Sequence, residues 1–450
     1  MAMHEPLKKA LDSLMVIRTT RRAPFCMGLE YLEIPNLFCA AQEYGEDFDR
    51  TNELFSSVHA NNETSSTQEL LLHPCITEAT KDHTPENVIV VPYVNSTEIE
   101  DACASRNFRL FAPQAKLVYE MEGKDSAMAF LEEVCPEAVI PSKVQPFGEC
   151  KWDKESSGIA IQRLDQIYTG GKGTILIRTE DEFENLSIPP DEVVKTAAFI
   201  EGPSLNINAV ASSEGTVTTD FSLQIIGPPD CSVNTASYCG NDWDSAQALS
   251  PAMHEEVHRL TRVVGDALFA RGYKGWFGMD FLVDSHTNHV YVMEINPRMQ
   301  GSTSMITLTE CLDGLTPLLD LHLMSHLGIP FDQSAEDYSQ QYRNTTKGAH
   351  ILIRIGDDPI TFSSTCPPGL YASKGEEWSH TNDSIQFKDA REKQGVVVQG
   401  IPPLGKEVFA HDRIATIQSP HQVLDGTNSS VLIPSIQSLI ALLREGYTAG

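Results

Sequence analysis

The sequence is short of basic residues: 33 Lys and Arg stand against 62 Asp and Glu, a formal charge of −29 with His neutral. A field of that sign repels nucleic acid and anionic membrane surfaces, which excludes a general binder of either. A local basic pocket for a phosphorylated ligand stays open. Long apolar runs are also missing. Nowhere do 18 uninterrupted apolar residues occur, and the polar start, residues 1–10 with Lys8 and Lys9, leads into no stretch of signal-peptide quality. The expectation is a cytoplasmic protein with no membrane segment. The ten cysteines, Cys26, Cys39, Cys75, Cys103, Cys135, Cys150, Cys231, Cys239, Cys311 and Cys366, form no C-x-x-C pair. That removes zinc ribbons and thioredoxin-type motifs and leaves buried reduced thiols. Without a secretion signal the sequons at Asn62 and Asn95 carry little. Neither G-x-S-x-G nor G-x-x-x-x-G-K-[ST] occurs, so the common serine-hydrolase and P-loop signatures are absent.

What is present suits a folded enzyme-sized chain. Hydrophobic residues make up 41% of 450 residues, enough for a sizeable core, and the length suggests about three domains at roughly 150 residues each. No internal repeat is visible. Residues 55–86, rich in Ser, Thr, Asn, Glu and His, read as a surface excursion. Residues 87–92 then read as a buried strand, 98–106 as a helix and 108–111 as a second strand, a rhythm that suggests a small α/β domain. Residues 116–134 read as one or two helices. Residues 158–162, 174–178, 193–200 and 205–211 are strand candidates, and the loop 168–174 between the first two is glycine-rich. Residues 250–271 predict an amphipathic helix with Val257, Leu260, Val264 and Leu268 on one stripe and Gly272 beyond its end. Past about residue 345 strand patterns return at 350–355, 395–401 and 413–418, and 434–445 reads as a closing helix.

The most informative segment runs from Gly275 to Arg298. Two alternating runs, 275–284 and 290–298, flank a polar tip, which is a hairpin signal. A register symmetric about Thr287 sets Asp284 against Val290 and Asp280 against Glu294. The period of two then places Asp280, Glu294 and Asn296 on one face, and Met279, Phe281, Val283, Tyr291, Met293 and Ile295 on the other. Two carboxylates directly opposed repel each other, and a bound cation relieves that. A few hard oxygen ligands with room for water and phosphate suit Mg²⁺. A solvated acidic face is the bland alternative for an acidic pair alone; Asn296 and Arg298 in fixed alternation argue against it.

This segment resembles the metal-binding signature of the ATP-grasp superfamily, G-x-D-F followed after a hairpin by E-I-N-P-R, which Glu294-Ile295-Asn296-Pro297-Arg298 matches without a gap. The resemblance covers roughly residues 88–330. It implies an α/β (α+β) chain with an ATP-grasp fold: a Rossmann-like N-terminal domain over 1–115, a lid subdomain over 116–200, a core with the Mg·ATP site over 201–340, and a β-rich C-terminal domain over 341–450. It implies that Asp280, Glu294 and Asn296 hold one or two Mg²⁺ ions, with Mn²⁺ an admissible substitute, and that Arg298 steadies a phosphate or the reacting anion. Lys124, in Glu122-Gly123-Lys124-Asp125, resembles the first phosphate-contacting lysine. Gly170, Gly171, Lys172, Gly173 and Thr174 resemble the mobile flap, in which backbone N–H groups approach phosphates, although an ordinary tight hairpin explains the loop equally well. Phe199 and Ile200, before Glu201-Gly202, resemble the hinge that reads adenine. Met293 would lie under the purine, a place that core packing alone would also explain.

There are departures. The lysine that the family commonly carries on the strand before the flap is missing; the matching region reads Ile161-Gln162-Arg163, so that Gln162 or Arg163 is left to substitute. Ser204 stands where many members have a ribose-binding acid. Gly348–Ile355 resembles the start of the last domain of biotin carboxylase, with Arg354 matching an arginine that faces the active site; a basic residue closing a strand is an equally good reading. After Arg298, Gln300 fits the carboxylase pattern but Ser302 stands in place of the expected glutamate base, and there is no biotin-carrier motif. Gly301, Ser302 and the small residues after them suit a pocket for a larger acid.

Two further motifs compete. His254-Glu255-Glu256-Val257-His258 matches H-E-x-x-H, but no third zinc ligand follows at a recognised spacing, so a solvated helix face is expected. Residues 238–243 read as a turn or the lining of an acceptor pocket. The expected activity is an ATP-dependent carboxylate–amine ligase acting on a small-molecule acid and amine (amino acids or peptides). The alternatives are a biotin-carboxylase-like carboxylase and a non-catalytic ATP-binding regulator. Nucleic acid and membrane are not expected as partners, and a homodimer is compatible with the resemblance.

Overall fold

The computed structural model describes residues 4–22, 28–43, 56–60, 63–153, 158–164, 174–343, 345, 347–402 and 404–448. The N-terminal part is a parallel sheet of β1 (Met15–Arg22), β2 (Leu37–Glu43), β3 (Ser57–His59), β4 (Val88–Val91) and β5 (Arg109–Leu110), in the order β3-β2-β1-β4-β5. All four residues of β4 are buried, as its unbroken Val-Ile-Val-Val run requires of a strand covered on both faces. The expected surface excursion before it is a covering layer. Two short helices, Thr67–Leu72 and Pro74–Ala79, bury Leu70, Leu71 and Ile76 against the sheet. Their polar residues hide a short apolar stripe that composition alone does not reveal.

The next segment begins with helices α1 (Ala115–Glu122) and α2 (Lys124–Val134). It continues into an antiparallel sheet of β6 (Ser142–Pro146), β7 (Ile159–Arg163), β8 (Thr174–Ile177) and β9 (Val193–Ala198), ordered β6-β9-β7-β8. One face of this sheet has its own small core of Ile161, Ile177, Ile188 and Val194.

Eleven strands form the large sheet. They are β10 (Ser204–Ser212), β11 (Gly215–Thr218), β12 (Ser222–Ile226), β13 (Tyr238–Asp242), β14 (Gly275–Val283), β15 (Val290–Asn296), β16 (Ala349–Arg354), β18 (Gly369–Lys374), β19 (Glu377–Asn382), β20 (Val396–Gln399) and β22 (Arg413–Ser419). The order is β15-β14-β10-β12-β13-β16-β22-β20-β18-β19, with β11 on β10; β17 (Ile360–Thr361) and β21 (Glu407–Val408) pair separately. The hydrogen-bond ladder crosses residue 340 without a break, because β13 pairs with β16. Residues 238–242, expected to be a turn or pocket lining, are therefore a central strand. Its polar sequence is tolerated because Asn241 and Asp242 are bonded on every side.

Alternation sorts the sheet's two faces. Leu205, Ile207, Leu223, Ile225, Phe277, Met279, Phe281, Ile351, Ile353, Ala415 and Ile417 enter one extended core. The helix α3 (Pro251–Ala270) covers that face, capped by Ser250, whose side chain accepts from Met253 N, and it buries Val257, Leu260, Val264 and Leu268 as predicted. Gly265 lets it sit tight on β11, since a Cβ there would come within 2.5 Å of Thr216. The H-E-x-x-H residues lie on this helix, but His258 is buried rather than solvated. It bonds Thr218 Oγ1 through Nδ1 at 2.9 Å, His254 packs on Phe221, and Glu255 pairs with Arg343. None of the nine described cysteines forms a disulfide. Among the described residues no helix is long and apolar enough to cross a membrane.

Candidate active site

The opposite face of the large sheet is polar along its middle. Asp280 and Glu294 are direct partners across β14 and β15, as expected, and Met279–Ile295 and Gly278–Asn296 keep the same register, but toward the tip the pairing differs. Val283, not Asp284, faces Val290, and the ladder shifts between Asp280 and Phe281. Met293 is the extra residue of a β-bulge. The tip is one residue tighter than a symmetric turn because Asn288 adopts φ 60° and closes it. The bulge then restores the acid pair. As a result Val290 and Val292 join the core with Ile295, whereas Tyr291 and Met293, expected there, do not; Met293 is 47% exposed.

The acid pair sits on a polar scaffold. Asp280 accepts from Asn206 Nδ2 at 2.6 Å and from Asn296 Nδ2 at 3.2 Å. Burial holds the Asp280 carboxyl above its ordinary range against these bonds. Glu294 is open to water on one side but enclosed enough by protein that burial, and then the Asp280 charge, push it up to about 7. Both shifts have the same remedy, a positive charge between the carboxylates. Asp280, Glu294 and Asn296 fit a hard divalent cation; a half-turn of the Asn296 amide turns its oxygen toward the pair. Among the described residues no cluster of three His, Cys, Asp or Glu side chains is placed to hold a metal, so the amide oxygen is a needed member of this set.

Cations border the pair. Lys124 begins α2 within the field of Glu294, and burial lowers its pKa. Arg298 is clamped by Glu122 of α1, with Nε to Oε1 at 3.0 Å, and lies over the Tyr93 ring at 5.8 Å. Gln300 and Ser302, expected to meet substrate, are instead spent inside the scaffold. Gln300 accepts from Asn206 Nδ2 and donates to Ile207 O at 2.9 Å; Ser302 donates to Asn206 Oδ1 and accepts from Asn208 Nδ2, both at 2.8 Å. Gly278 leaves the space that Gln300 fills, since a Cβ there would overlap the Gln300 amide. Asn206 is thus the hub that aims Asp280. Its only sequence signal is polarity, shared with Asn208, on one face of a strand whose other face is apolar. Gly301 rests against the Tyr238 ring, which a Cβ would meet at 2.9 Å from the hydroxyl. Arg354 donates to His411 O at 3.1 Å and Tyr238 O at 3.4 Å.

The four-stranded sheet supplies one residue that the sequence reading missed. On the face away from its small core, register aligns Val144, Lys195, Gln162 and Thr174 in one row across β6, β9, β7 and β8. Lys195 is half-buried, and burial lowers its pKa; the charges it feels belong to Asp125, Lys124 and Glu132 on α2. Lys195 therefore looks toward the N-terminal turn of α2, where Lys124 stands. Gln162 lies beside it on the same face. Arg163 points the other way and is paired with Glu192 at 2.6 Å, which removes it as a substitute lysine. Gly170, Gly171, Lys172 and Gly173 lie outside the described residues. Phe199 follows β9 with its N–H already bonded to Gly158 O at 3.0 Å, so that N–H does not read a base; Ile200 comes next in the crossover to β10.

Residues 166–302 match the ATP-grasp domain family. That stretch is an ATP-grasp domain. Over 166 residues it is 23% identical to the L-propargylglycine–L-glutamate ligase of Streptantibioticus cattleyicolor, a stretch covering 36% of this chain but only 32% of that ligase's length. The ATP-grasp domain and its flanks superpose on biotin carboxylase from Campylobacter jejuni with a TM-score of 0.56 at 15% identity, covering 92% of this chain and 89% of that one. The biotin carboxylase domain of 2-oxoglutarate carboxylase from Hydrogenobacter thermophilus, a dimer in complex with MgADP and bicarbonate, gives 0.56 at 14% identity over 91% and 87%. The fold is therefore biotin-carboxylase-like, including the large sheet that runs into the C-terminal part.

Proposed function

We propose that this ATP-grasp protein is a carboxylate–amine ligase that forms an amide or peptide bond and releases ADP and phosphate. The observation that carries the reading is the opposed Asp280–Glu294 pair with Asn296, bordered by Lys124, Lys195 and Arg298. Anion must meet anion in this reaction, and the site concentrates compensating charge where they meet. A carboxylate oxygen of the acid attacks the γ-phosphorus, and ADP leaves. The amine nitrogen then attacks the acyl carbon, phosphate leaves, and the amine proton passes to solvent. Lys124 and Lys195 draw the polyphosphate against α2, with Lys195 supplying from β9 the charge that Gln162 lacks on β7. Arg298, positioned by Glu122 and Tyr93, steadies the transferring phosphoryl group. Mg²⁺, one ion or two, with Mn²⁺ a substitute, neutralises phosphate oxygens when held by Asp280, Glu294 and Asn296. Val144 and Leu176, exposed on the same face as Lys195, offer apolar cover for a base, and Met293 offers a second wall. We place the acid beside Arg298 and Gly301, with Arg354 at the far edge.

The substrates are small molecules; a cytoplasmic setting and a homodimer complete the proposal. Carboxylation with bicarbonate is the second reading, favoured by the fold. Against it, Ser302 is no base and is committed to Asn206 and Asn208. Phosphate and ADP release from Mg·ATP, measured across pools of amino acids, small peptides and bicarbonate, separates the readings. Release that needs both an acid and an amine is expected. Release with bicarbonate alone would move carboxylation to the front, and AMP with pyrophosphate would overturn both.

A further inference from the structure

The polar band of the large sheet does not stop at the metal-binding hairpin. Asn206 O accepts from Ser222 Oγ at 3.4 Å, and Ser222 Oγ accepts from Asn241 Nδ2 at 2.8 Å. Asn241 Oδ1 accepts from the Tyr238 hydroxyl, and that oxygen lies 3.2 Å from His350 Nε2. The hydroxyl has one proton, and it is spent on Asn241. His350 Nε2 therefore carries the imidazole proton and donates, which leaves Nδ1 as a bare acceptor. Burial, reinforced by Arg413, holds His350 neutral, with its pKa down to about 3.

Among the described residues His350 Nδ1 has no partner, and its neighbours on this face share that state. Gln418, directly across from His350 on β22, has an unpartnered Oε1; so does Gln399 on β20, across from Thr416, whose Oγ1 is also unpartnered. Trp243, whose ring centre lies 6.0 Å from that of His350, has an unpartnered indole N–H. His350 is 4% exposed, Gln418 3%, Gln399 2% and Trp243 0%, so water at the surface does not settle these atoms. Buried polar atoms are normally bonded, and five unsatisfied ones on one sheet face form a concentrated exception. Three of them are neutral acceptors, one is a hydroxyl and one is a donor. No carboxylate is among them, while Arg354 and Arg413 stand at the edge of the same face, so a cation finds no counter-charge there.

We propose that this region is a specificity pocket for a neutral primary carboxamide group on one of the substrates. The two amide hydrogens satisfy His350 Nδ1 and Gln418 Oε1 or Gln399 Oε1. The amide oxygen takes the Trp243 N–H or the Thr416 hydroxyl. Tyr238 links the pocket to the reaction centre, since Asp280 lies within its electrostatic reach and Gly301 rests on its ring. The role as a substrate pocket rests on the ligase reading; occupancy by a carboxamide is an equilibrium property and is tested without turnover.

The test uses full-length protein labelled with ¹⁵N-histidine, saturated with Mg²⁺ and a non-hydrolysable ATP analogue, with the His350 resonances assigned by their loss in His350→Gln. Propionamide, L-glutamine and L-asparagine are titrated in parallel with propionate, L-glutamate and L-aspartate. The expected result is a saturable shift of the unprotonated His350 Nδ1 signal with a carboxamide, at least tenfold tighter than with the matching carboxylate. Gln418→Leu is expected to weaken it about tenfold; Gln399→Leu serves if that variant does not fold. Equal or tighter binding of the carboxylates would overturn the assignment. No shift with any probe would mean that the pocket holds ordered water only, and would also overturn it. Phosphate release measured on the same sample reports on the ligase reading separately, so either can fail alone.

Discussion

One sheet face has two ends, and they settle their polar groups differently. At the hairpin end, Asp280, Asn206, Gln300, Ser302 and Asn296 satisfy one another, and the residual strain is electrostatic: two carboxylates face each other and burial raises both. At the C-terminal end, His350, Gln418, Gln399 and Thr416 are uncharged and leave hydrogen-bonding capacity unused. The first end is built to receive charge; the second is built to receive a shape with donors. On the proposed ligase reading, phosphate chemistry belongs at the first end and substrate choice at the second.

The largest effect that would break this contrast is at Glu294. Glu294→Ala is expected to lower turnover on the order of 10²–10³-fold, as the loss of a principal electrostatic element does. The same change relieves the repulsion with Asp280, so the thermal midpoint of the metal-free protein should hold or rise. Chelating Mg²⁺ from the unsubstituted protein should reach the same low rate. Unchanged turnover in Glu294→Ala would remove the metal site from the hairpin.

Next comes Lys195. Losing a charge-assisted contact to phosphate costs about 10- to 100-fold in affinity, so Lys195→Met should raise the KM for ATP by that factor while Gln162→Met changes it little. Equal effects at the two positions would return the role to β7. Lys195 also shows how far the sequence could be read. The hairpin was legible because chemistry and alternation coincide in one continuous stretch, from Asp280 to Arg298. Lys195 was not, because it stands on the strand adjacent to Gln162, and a strand neighbour 33 positions away is invisible until Gln162 and Lys195 are seen in register. Likewise Gln300 and Ser302 follow the signature closely enough to be read as substrate contacts, yet the Asn206 hub that uses them lies some ninety residues earlier. The α/β order, the large helix and its stripe needed only periodicity. The bulge at Met293 needed the tertiary requirement that Asp280 and Glu294 meet.

The uncharged end makes a prediction in pH. Burial pulls the His350 pKa down to about 3. Below its unfolded value of about 6.5 the unfolded chain binds a proton that the native state does not, so stability falls as pH falls from 6.5 toward 3. For His350 alone the loss between pH 7 and pH 5 is about 2 kcal/mol. Buried His258 adds a loss of the same sign. His350→Gln should therefore flatten the slope of urea-unfolding free energy against pH over that window by about this amount. An identical slope in the variant would mean that the imidazole is already solvated, and the pocket would not be dry.

The smallest effect tests the bulge itself, because two adjacent residues exchange their expected environments there. In a symmetric hairpin Met293 is core and Val292 is outward. In the observed register Val292 is 2% exposed inside the extended core, and Met293 is 47% exposed on the acid face. Val292→Ala should then cost about 1–3 kcal/mol of stability through lost burial and a residual cavity. Met293→Ala should stay within about 0.5 kcal/mol, as a surface change does, while raising the KM for ATP a few-fold through the lost wall of the base site. The opposite ranking of the two stabilities would restore the symmetric register. Asp280 faces Glu294 in that register too, so the acid pair would stand on a regular ladder and only the bulge at Met293 would be lost.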